Sequence, residues 1–265
     1  MRIVVPIKQV PETSNVKMDE KTGTMVREGV ESIINPLDLY AIEEAILLKQ
    51  QLGGEVIVIS MGPPKAIEAI KEAIAMGCDG GYLISDRKFA GSDTWATSKI
   101  LSSFIKKKLE FDIVIAGERA TDGDTGQVGP GIASFLDIPA LTYVASIDVE
   151  NENTFVVKRL VENGYEFYKV KAPVLFTVVK EIADPRLPTF RGKIKAKKTE
   201  VPVISNEFLN LTDDEIGLKG SPTRVVKIFK PKVSREGEKF IVKSDRDIPV
   251  AVDKIVDYLK ENNFI

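Results

Sequence analysis

"FDIVIAGERATDGDTGQVGPG", residues 111–131, decides how the chain is read, because a short apolar run ends in a loop with glycines at 123, 126, 129 and 131. "FDIVIAG" (111–117) is too short for a helix and does not alternate, as a strand covered on both faces of a parallel sheet does not. The loop after it has the glycine content of a phosphate loop, yet it carries Glu118, Asp122 and Asp124. Its spacing, G-x-x-G-x-x-G-x-G, matches neither the dinucleotide fingerprint G-x-G-x-x-G nor the phosphate loop G-x-x-x-x-G-K-[ST].

Two starts for the following helix fit the residues. Asp124 and Gln127 have capping-box spacing, which begins the helix at Thr125. Pro130 then falls inside it, where a lost hydrogen bond and a ring clash cost about 3 kcal/mol. A start at Pro130 removes that conflict. The earlier start is preferred because it leaves the most free N–H groups at a ligand. In that reading Asp124 caps, Arg119 offsets the acidic charge, and Asp122 accepts from a ribose hydroxyl or an adenine amine. A glycine-rich turn without a ligand is the alternative.

Outward from the loop, apolar runs alternate with helical patterns. "RIVVPI" (2–7), "EVIVISMG" (55–62), "GYLIS" (81–85) and "PALTYVASI" (139–147) read as strands. Residues 35–53, 63–77 and 92–109 read as helices, with another running to about Leu136. This order predicts βαβ units and a doubly wound α/β fold on a parallel sheet. In the first helix Leu39, Ile42, Ala45, Ile46 and Leu52 form the core stripe, with Glu43 and Glu44 between them. From 148 two alternating runs meet around Asn163-Gly164, a hairpin signal, so an antiparallel hairpin is added to the sheet before the strand "APVLFTVV" (172–179).

Ligands of open parallel sheets sit beyond the carboxyl ends of the strands. Pro6, Ile7 and Lys8 follow the first strand, Met61 and Gly62 the second, and the glycine loop the fourth. "SDTWATS" (92–98) opens a helix with Thr94 and Thr97 on one face; capping and surface hydroxyls account for it locally.

Composition narrows the chemistry. The 265 residues are 43% hydrophobic, enough to bury a full core, and the net charge of −2 provides no basic field for nucleic acid or anionic membrane. There is no histidine, which removes the commonest general base and zinc ligand, and the single cysteine, Cys78, makes no intrachain disulfide. The apolar run of "MRIVVPIKQVPET" is too short for a signal peptide or a membrane span, so a cytoplasmic chain with no direct membrane insertion is expected.

After Lys180 the chain is rich in proline and lysine. Arg186, Arg191, Lys193, Lys195, Lys197 and Lys198 occur without an acidic residue among positions 186–198. That stretch is either a solvated linker or a docking arm. The tail holds "RVVKIFKPK" and a final helix, "DIPVAVDKIVDYLKENN", whose apolar residues need a surface to pack on.

These motifs carry a resemblance. "VPIKQVPET", "NPLDLYAIEEA", "SMGPPKA", "ATDGDTGQVGP", "VKRLVENGYEFYKVKAPVLFTVV" and "DPRLPTFRGKIKAKK", in this order, make the chain resemble the β subunit of electron transfer flavoproteins over essentially its whole length. The resemblance implies an adenine-nucleotide-binding α/β domain (1–183), a basic partner-recognition loop (184–200) and a C-terminal arm (201–265) that packs on an α subunit holding the electron-transferring FAD. It places Pro6, Asn35, Met61, Ala116, Gly117 and the run Arg119, Ala120, Thr121, Asp122, Gly123, Asp124, Thr125, Gly126, Gln127, Val128 and Gly129 around a nucleotide. In conventional members that nucleotide is AMP.

In electron-bifurcating members it is a second FAD, which takes hydride from NADH and sends electrons to two acceptors. "KQVPET", "DTWATS" and the Val-Gly-Pro ending resemble the bifurcating branch, where Thr94 and Thr97 face the flavin or the nicotinamide. The basic loop would dock a dehydrogenase or quinone-reductase-type flavoprotein, with ferredoxin a further acceptor, through Arg186, Arg191, Lys193, Lys195 and an apolar anchor aligned with Phe190. Leucine is common in the family at that anchor. A non-redox adenine-nucleotide sensor explains the loop but neither the basic segment nor the tail. An adenylating enzyme or pyrophosphatase lacks its expected phosphate-loop lysine and metal carboxylates.

Overall fold

The computed structural model describes residues 1–12, 32–226 and 239–265. They fall into two compact units, one from Met1 to Val226 and one within Lys227–Ile265.

The first unit begins with β1 (Arg2–Pro6), β2 (Gln9–Pro11) and β3 (Ser32–Ile34), followed by α1 (Pro36–Leu52), β4 (Glu55–Met61), α2 (Ile67–Met76) and β5 (Gly80–Ile84). Next come α3 (Thr94–Lys108), β6 (Ile113–Gly117), α4 (Val128–Leu136), β7 (Ala140–Asn151), β8 (Thr154–Val161), β9 (Gly164–Lys171) and β10 (Val174–Val178). It closes with α5 (Phe190–Lys198), β11 (Val203–Ile204) and α6 (Asn206–Leu209). The main sheet has the order β11-β5-β4-β1-β6-β10-β7-β8-β9, while β2 and β3 pair separately as an antiparallel ribbon.

Strands β11 through β7 in this order run parallel, as their unbroken apolar sequences require, and β8 and β9 add antiparallel pairs at one edge. Helices α1 and α2 cover one face, where Ile3, Val5, Ile42, Ile46, Val58, Ile70 and Phe176 are buried together. On the other face α3 and α4 enclose Val4, Ile59, Ile100, Phe104, Val114, Ile132 and Leu175. The doubly wound α/β reading from the sequence is what the chain forms.

Several details differ. Glu43 and Glu44, placed between apolar positions of α1, are only 4% and 6% exposed, because the segment after β10 lies over that side of the helix and offers Arg186 to Glu43. The hairpin pairs Val161 with Gly164, so Glu162 and Asn163 make the turn, and it is Gly164 that carries the positive φ of 135°. The basic stretch is not a solvated linker: residues 190–198 form α5, capped by Thr189, which accepts from the Gly192 amide at 2.9 Å, and packed through buried Ala196. Residues 201–226, expected to start the arm, belong to the first unit, since β11 extends the sheet beside β5 and Leu209 and Ile216 are buried in its core.

In the second unit α7 (Ile248–Glu261) is preceded by a capping box in which Asp247 accepts from the Ser244 amide at 3.0 Å. Its Val250, Val252, Ile255 and Tyr258 are exposed. Most of "RVVKIFKPK" lies outside the described residues. No helix among the described residues is long and apolar enough to cross a membrane.

Candidate functional site

Strand order reverses at β1. The chain winds from β1 through β4 to β5 on one side and then lays β6 on the other. The carboxyl ends of β1 and β6 therefore flank the switch point, where a parallel sheet leaves a crevice for a ligand. Pro6 closes β1, Met61 closes neighbouring β4 with Gly62 just after it, and Ala116 and Gly117 close β6.

Asn35 ties the two sides together. Wholly buried, it donates from Nδ2 to the Arg119 carbonyl (2.8 Å) and to Asp38 Oδ1 (2.9 Å), and it accepts from the Thr121 amide (3.1 Å). Its polar atoms thus hold the start of the glycine loop against α1. Asp38 also accepts from the Lys8 amide at 2.7 Å. A Cβ on Gly117 would strike the Asp38 carboxylate and the Leu37 backbone, so glycine there makes room for α1. Burial pushes the Asp38 carboxyl up to about 7, against hydrogen bonds from Asn35 and Lys8 that act the other way. The sequence signal for Asp38 was present as an acid three residues into a helix opened by Asn-Pro, the N3 position.

The glycine loop departs from both helix starts considered above. The Gly123 and Asp124 amides both donate to the Ala120 carbonyl, at 3.3 and 2.7 Å, making a tight turn. Asp124 then sits at φ 54° and Gly126 at φ 62°, left-handed conformations that a helix beginning at Thr125 excludes. Instead of capping, Asp124 lies 3.1 Å from Arg119 Nε, which is 3.4 Å from Glu118. Arg119 offsets the acidic charge as expected. Asp122 is engaged by Lys8 Nζ at 2.6 Å, a partner 114 positions away that local pattern could not reveal.

Helix α4 begins at Val128, with Gln127 as its N-cap residue. Pro130 is its third residue, where an N–H has no intrahelical acceptor to lose, so the predicted clash does not arise. The first helical bond runs from the Gly131 amide to the Gln127 carbonyl at 2.9 Å. Among the described residues, the backbone N–H groups of Thr125, Gly126, Gln127, Val128 and Gly129 donate to no other group. Five consecutive free donors lie at the positive end of a helix dipole.

Around these donors, Thr94 at the start of α3 donates from Oγ1 to Gln127 Oε1 at 2.8 Å, which joins "DTWATS" to the glycine loop. Thr97 is half-buried one turn later, and Asp93 caps the helix by accepting from the Ala96 amide at 3.0 Å.

A residue that sequence reading missed faces the same loop. The register between β7 and β10 shifts so that Thr142 and Tyr143 together oppose Thr177, a β-bulge. Tyr143 takes φ 56°, a conformation costing a bulky residue about 1–3 kcal/mol, and its amide donates to Thr177 Oγ1 at 3.1 Å. Its hydroxyl lies 3.9 Å from where a Cβ on Gly126 would stand. No sequence signal marks a bulge inside "ALTYVAS".

A family model described as "Electron transfer flavoprotein domain" matches residues 22–209. The chain belongs to the electron transfer flavoprotein family. Over 100% of both chains it is 48% identical to the electron transfer flavoprotein subunit beta of Thermoanaerobacterium thermosaccharolyticum. It is 45% identical to the caffeyl-CoA reductase-Etf complex subunit CarD of Acetobacterium woodii and 41% to the acryloyl-CoA reductase electron transfer subunit gamma of Anaerotignum propionicum, again over 100% of each. As a β subunit of this family its role lies in electron transfer.

The basic segment of this electron transfer flavoprotein subunit divides in two. Arg186 and Lys195, expected among docking residues, have internal partners: Arg186 chelates the buried Glu43 carboxylate, and Lys195 Nζ donates to the Cys78 carbonyl at 2.9 Å. Each lies where α1 or α2 leaves an acceptor that burial would otherwise strand. Phe190, Arg191 and Lys193 are exposed, Phe190 to 80%, and Leu187 beside them to 85%, while Lys195 is exposed as well despite its hydrogen bond.

Proposed function

We propose that the chain is the β subunit of a heterodimeric electron transfer flavoprotein whose crevice at β1 and β6 holds FAD, with NADH as electron donor to the complex. The observation that carries this reading is the run of free amides from Thr125 to Gly129. Backbone N–H groups at a helix start suit a pyrophosphate, and the left-handed turn at Gly126 brings them to the ligand without a side chain between. The residues fit the group: a Cβ at Gly123 would meet nothing, so the approach is open, and Arg119 and Lys8 already neutralise Asp124 and Asp122.

Bound FAD would supply hydride and single-electron chemistry, and the protein supplies position and charge. The amides orient the pyrophosphate. Asn35 fixes the loop at the strand ends, and Pro6, Met61 and Ala116 would hold the adenosine. No general base is required of the chain, in keeping with its lack of histidine.

FAD is favoured over AMP because Thr94 binds Gln127, which sets the "DTWATS" helix beside the glycine loop and offers Thr94 and Thr97 to a ring system extending past the phosphates. Two relatives are named as subunits of a caffeyl-CoA reductase-Etf complex and of acryloyl-CoA reductase, which supports a reductase- or dehydrogenase-type partner. Exposed Phe190, Arg191 and Lys193 would dock a dehydrogenase-type flavoprotein, and α7 would pack on the α subunit.

The test is to purify the chain with its α subunit and to record the visible spectrum and nucleotide content. Two FAD per heterodimer is the expected result. One FAD with one AMP would assign AMP to this crevice and overturn bifurcation, and a complex without adenine nucleotide in the β chain would overturn the site.

A further inference from the structure

We infer that Tyr143 is a ligand-binding residue of this crevice, its phenol O–H donating to the phosphate group that the amides of residues 125–129 hold. The inference rests on the proposed nucleotide site. Sequence reading and family resemblance left Tyr143 out, and three observations bring it in.

The first is conformational. Tyr143 sits in a left-handed bulge that no side chain needs for strand pairing. Surrounding groups brace it: Arg159 donates from Nε to the Thr142 carbonyl (2.9 Å) and from Nη2 to Thr142 Oγ1 (3.2 Å), Thr177 accepts from the Tyr143 amide (3.1 Å), and the Val179 amide donates to the Val144 carbonyl (3.0 Å). A strained residue held from both sides is the pattern of a side chain aimed for use.

The second is where the bulge aims it. The hydroxyl stands 3.9 Å from where a Cβ on Gly126 would lie, next to a residue of the free-amide run, and Tyr143 is 43% exposed rather than packed away.

The third is hydrogen-bond chemistry. Among the described residues the hydroxyl has no partner, although a phenol can accept from an amide as well as donate. Five N–H groups of the loop and the O–H beside Gly126 remain unpaired among the described residues. A set composed of donors suits an anion with several acceptor oxygens, which a phosphate is.

The experiment uses the αβ heterodimer stripped of nucleotide, titrated with AMP and with adenosine by calorimetry. Tyr143→Phe keeps the ring and the bulge and removes only the hydroxyl. It should weaken AMP binding about tenfold, the effect of one hydrogen bond to a charged group, and leave adenosine binding unchanged. Tyr143→Gly should weaken AMP at least to the same extent, with the bulge kept because glycine adopts the left-handed conformation freely.

Unchanged AMP affinity in Tyr143→Phe would overturn the inference, as would an equal loss for AMP and adenosine. If the wild-type heterodimer takes neither AMP nor FAD in this chain, the crevice reading itself falls, and the inference with it.

Discussion

Arg186 forms a forked ion pair with Glu43 across 143 positions of sequence: Nη2 lies 2.7 Å and Nε 3.0 Å from Oε1, while the Arg186 amide donates to Oε2 at 3.0 Å. Burial alone would raise the Glu43 carboxyl, but the hydrogen bonds and charge of Arg186 outweigh it and hold the group below its usual range. The pair fixes the root of the basic segment to α1, so α5 starts from a defined point and lies on α2.

Removing one partner strands a buried charge. Arg186→Ala should cost about 3 kcal/mol in urea unfolding, and Arg186→Met combined with Glu43→Leu should recover most of it. If both proteins unfold at the same urea concentration as wild type, the pair is incidental. A second readout is partner turnover, which should fall in Arg186→Ala through misplacement of Phe190, although Arg186 itself faces inward.

Legibility followed the reach of each interaction along the chain. The strands β1, β4, β6 and β10 were readable because parallel strands buried on both faces need unbroken apolar runs, and α1 because its buried face recurs at helical spacing. The α4 start was not: Asp124 and Gln127 imitate a capping box, and what overrides it is the left-handed turn at 124–126, with Arg119 of the same loop on Asp124 and Thr94 from outside the local window on Gln127. Lys8–Asp122 and Arg186–Glu43 are likewise contacts that only the closed sheet creates. Of the candidate site, the glycine loop was legible from its residues and Asn35 from the resemblance. Tyr143 was invisible, since nothing local distinguishes a bulged strand from a regular one.

Helix α5 rests on α2 through the absence of a side chain at Gly192, where a Cβ would collide with the Ala75 carbonyl. Gly192→Ala would ordinarily stabilise a helix interior by about 1 kcal/mol. Here it should destabilise by about 1–3 kcal/mol, because α5 must lift away from α2. Thermal unfolding decides the sign, and a gain in stability would show that α5 does not depend on this contact.

Gly126→Val tests the loop. Valine at φ 62° is strained, and its side chain would enter the space between the Glu118 carbonyl and the Tyr143 hydroxyl. Nucleotide content of the purified complex should fall by at least tenfold while heterodimer yield changes little, since the strain is confined to the loop. Full retention of nucleotide would place the ligand elsewhere.

Glu44 gives the chain a pH-dependent stability with a defined sign. Burial in α1, reinforced by the neighbouring charges of Glu43 on the same helix and Asp148 on β7, pushes its carboxyl up to about 7 from 4.5. Between those values the unfolded chain has released the proton and the folded chain retains it, so the folded state binds more protons and stability falls as pH rises. Below the unfolded value and above 7 the contribution is flat. Asp38 acts in the same direction between 3.8 and about 7. Glu44→Gln keeps the shape and removes the ionisation, so the variant should gain about 1–2 kcal/mol over wild type at about pH 8 and little at about pH 4, with Asp38 and Glu72 leaving a slope of the same sign and Glu43 one of the opposite sign. Urea midpoints measured across this range check it. A variant whose advantage does not grow with pH would show that the Glu44 carboxyl is already ionised in the fold.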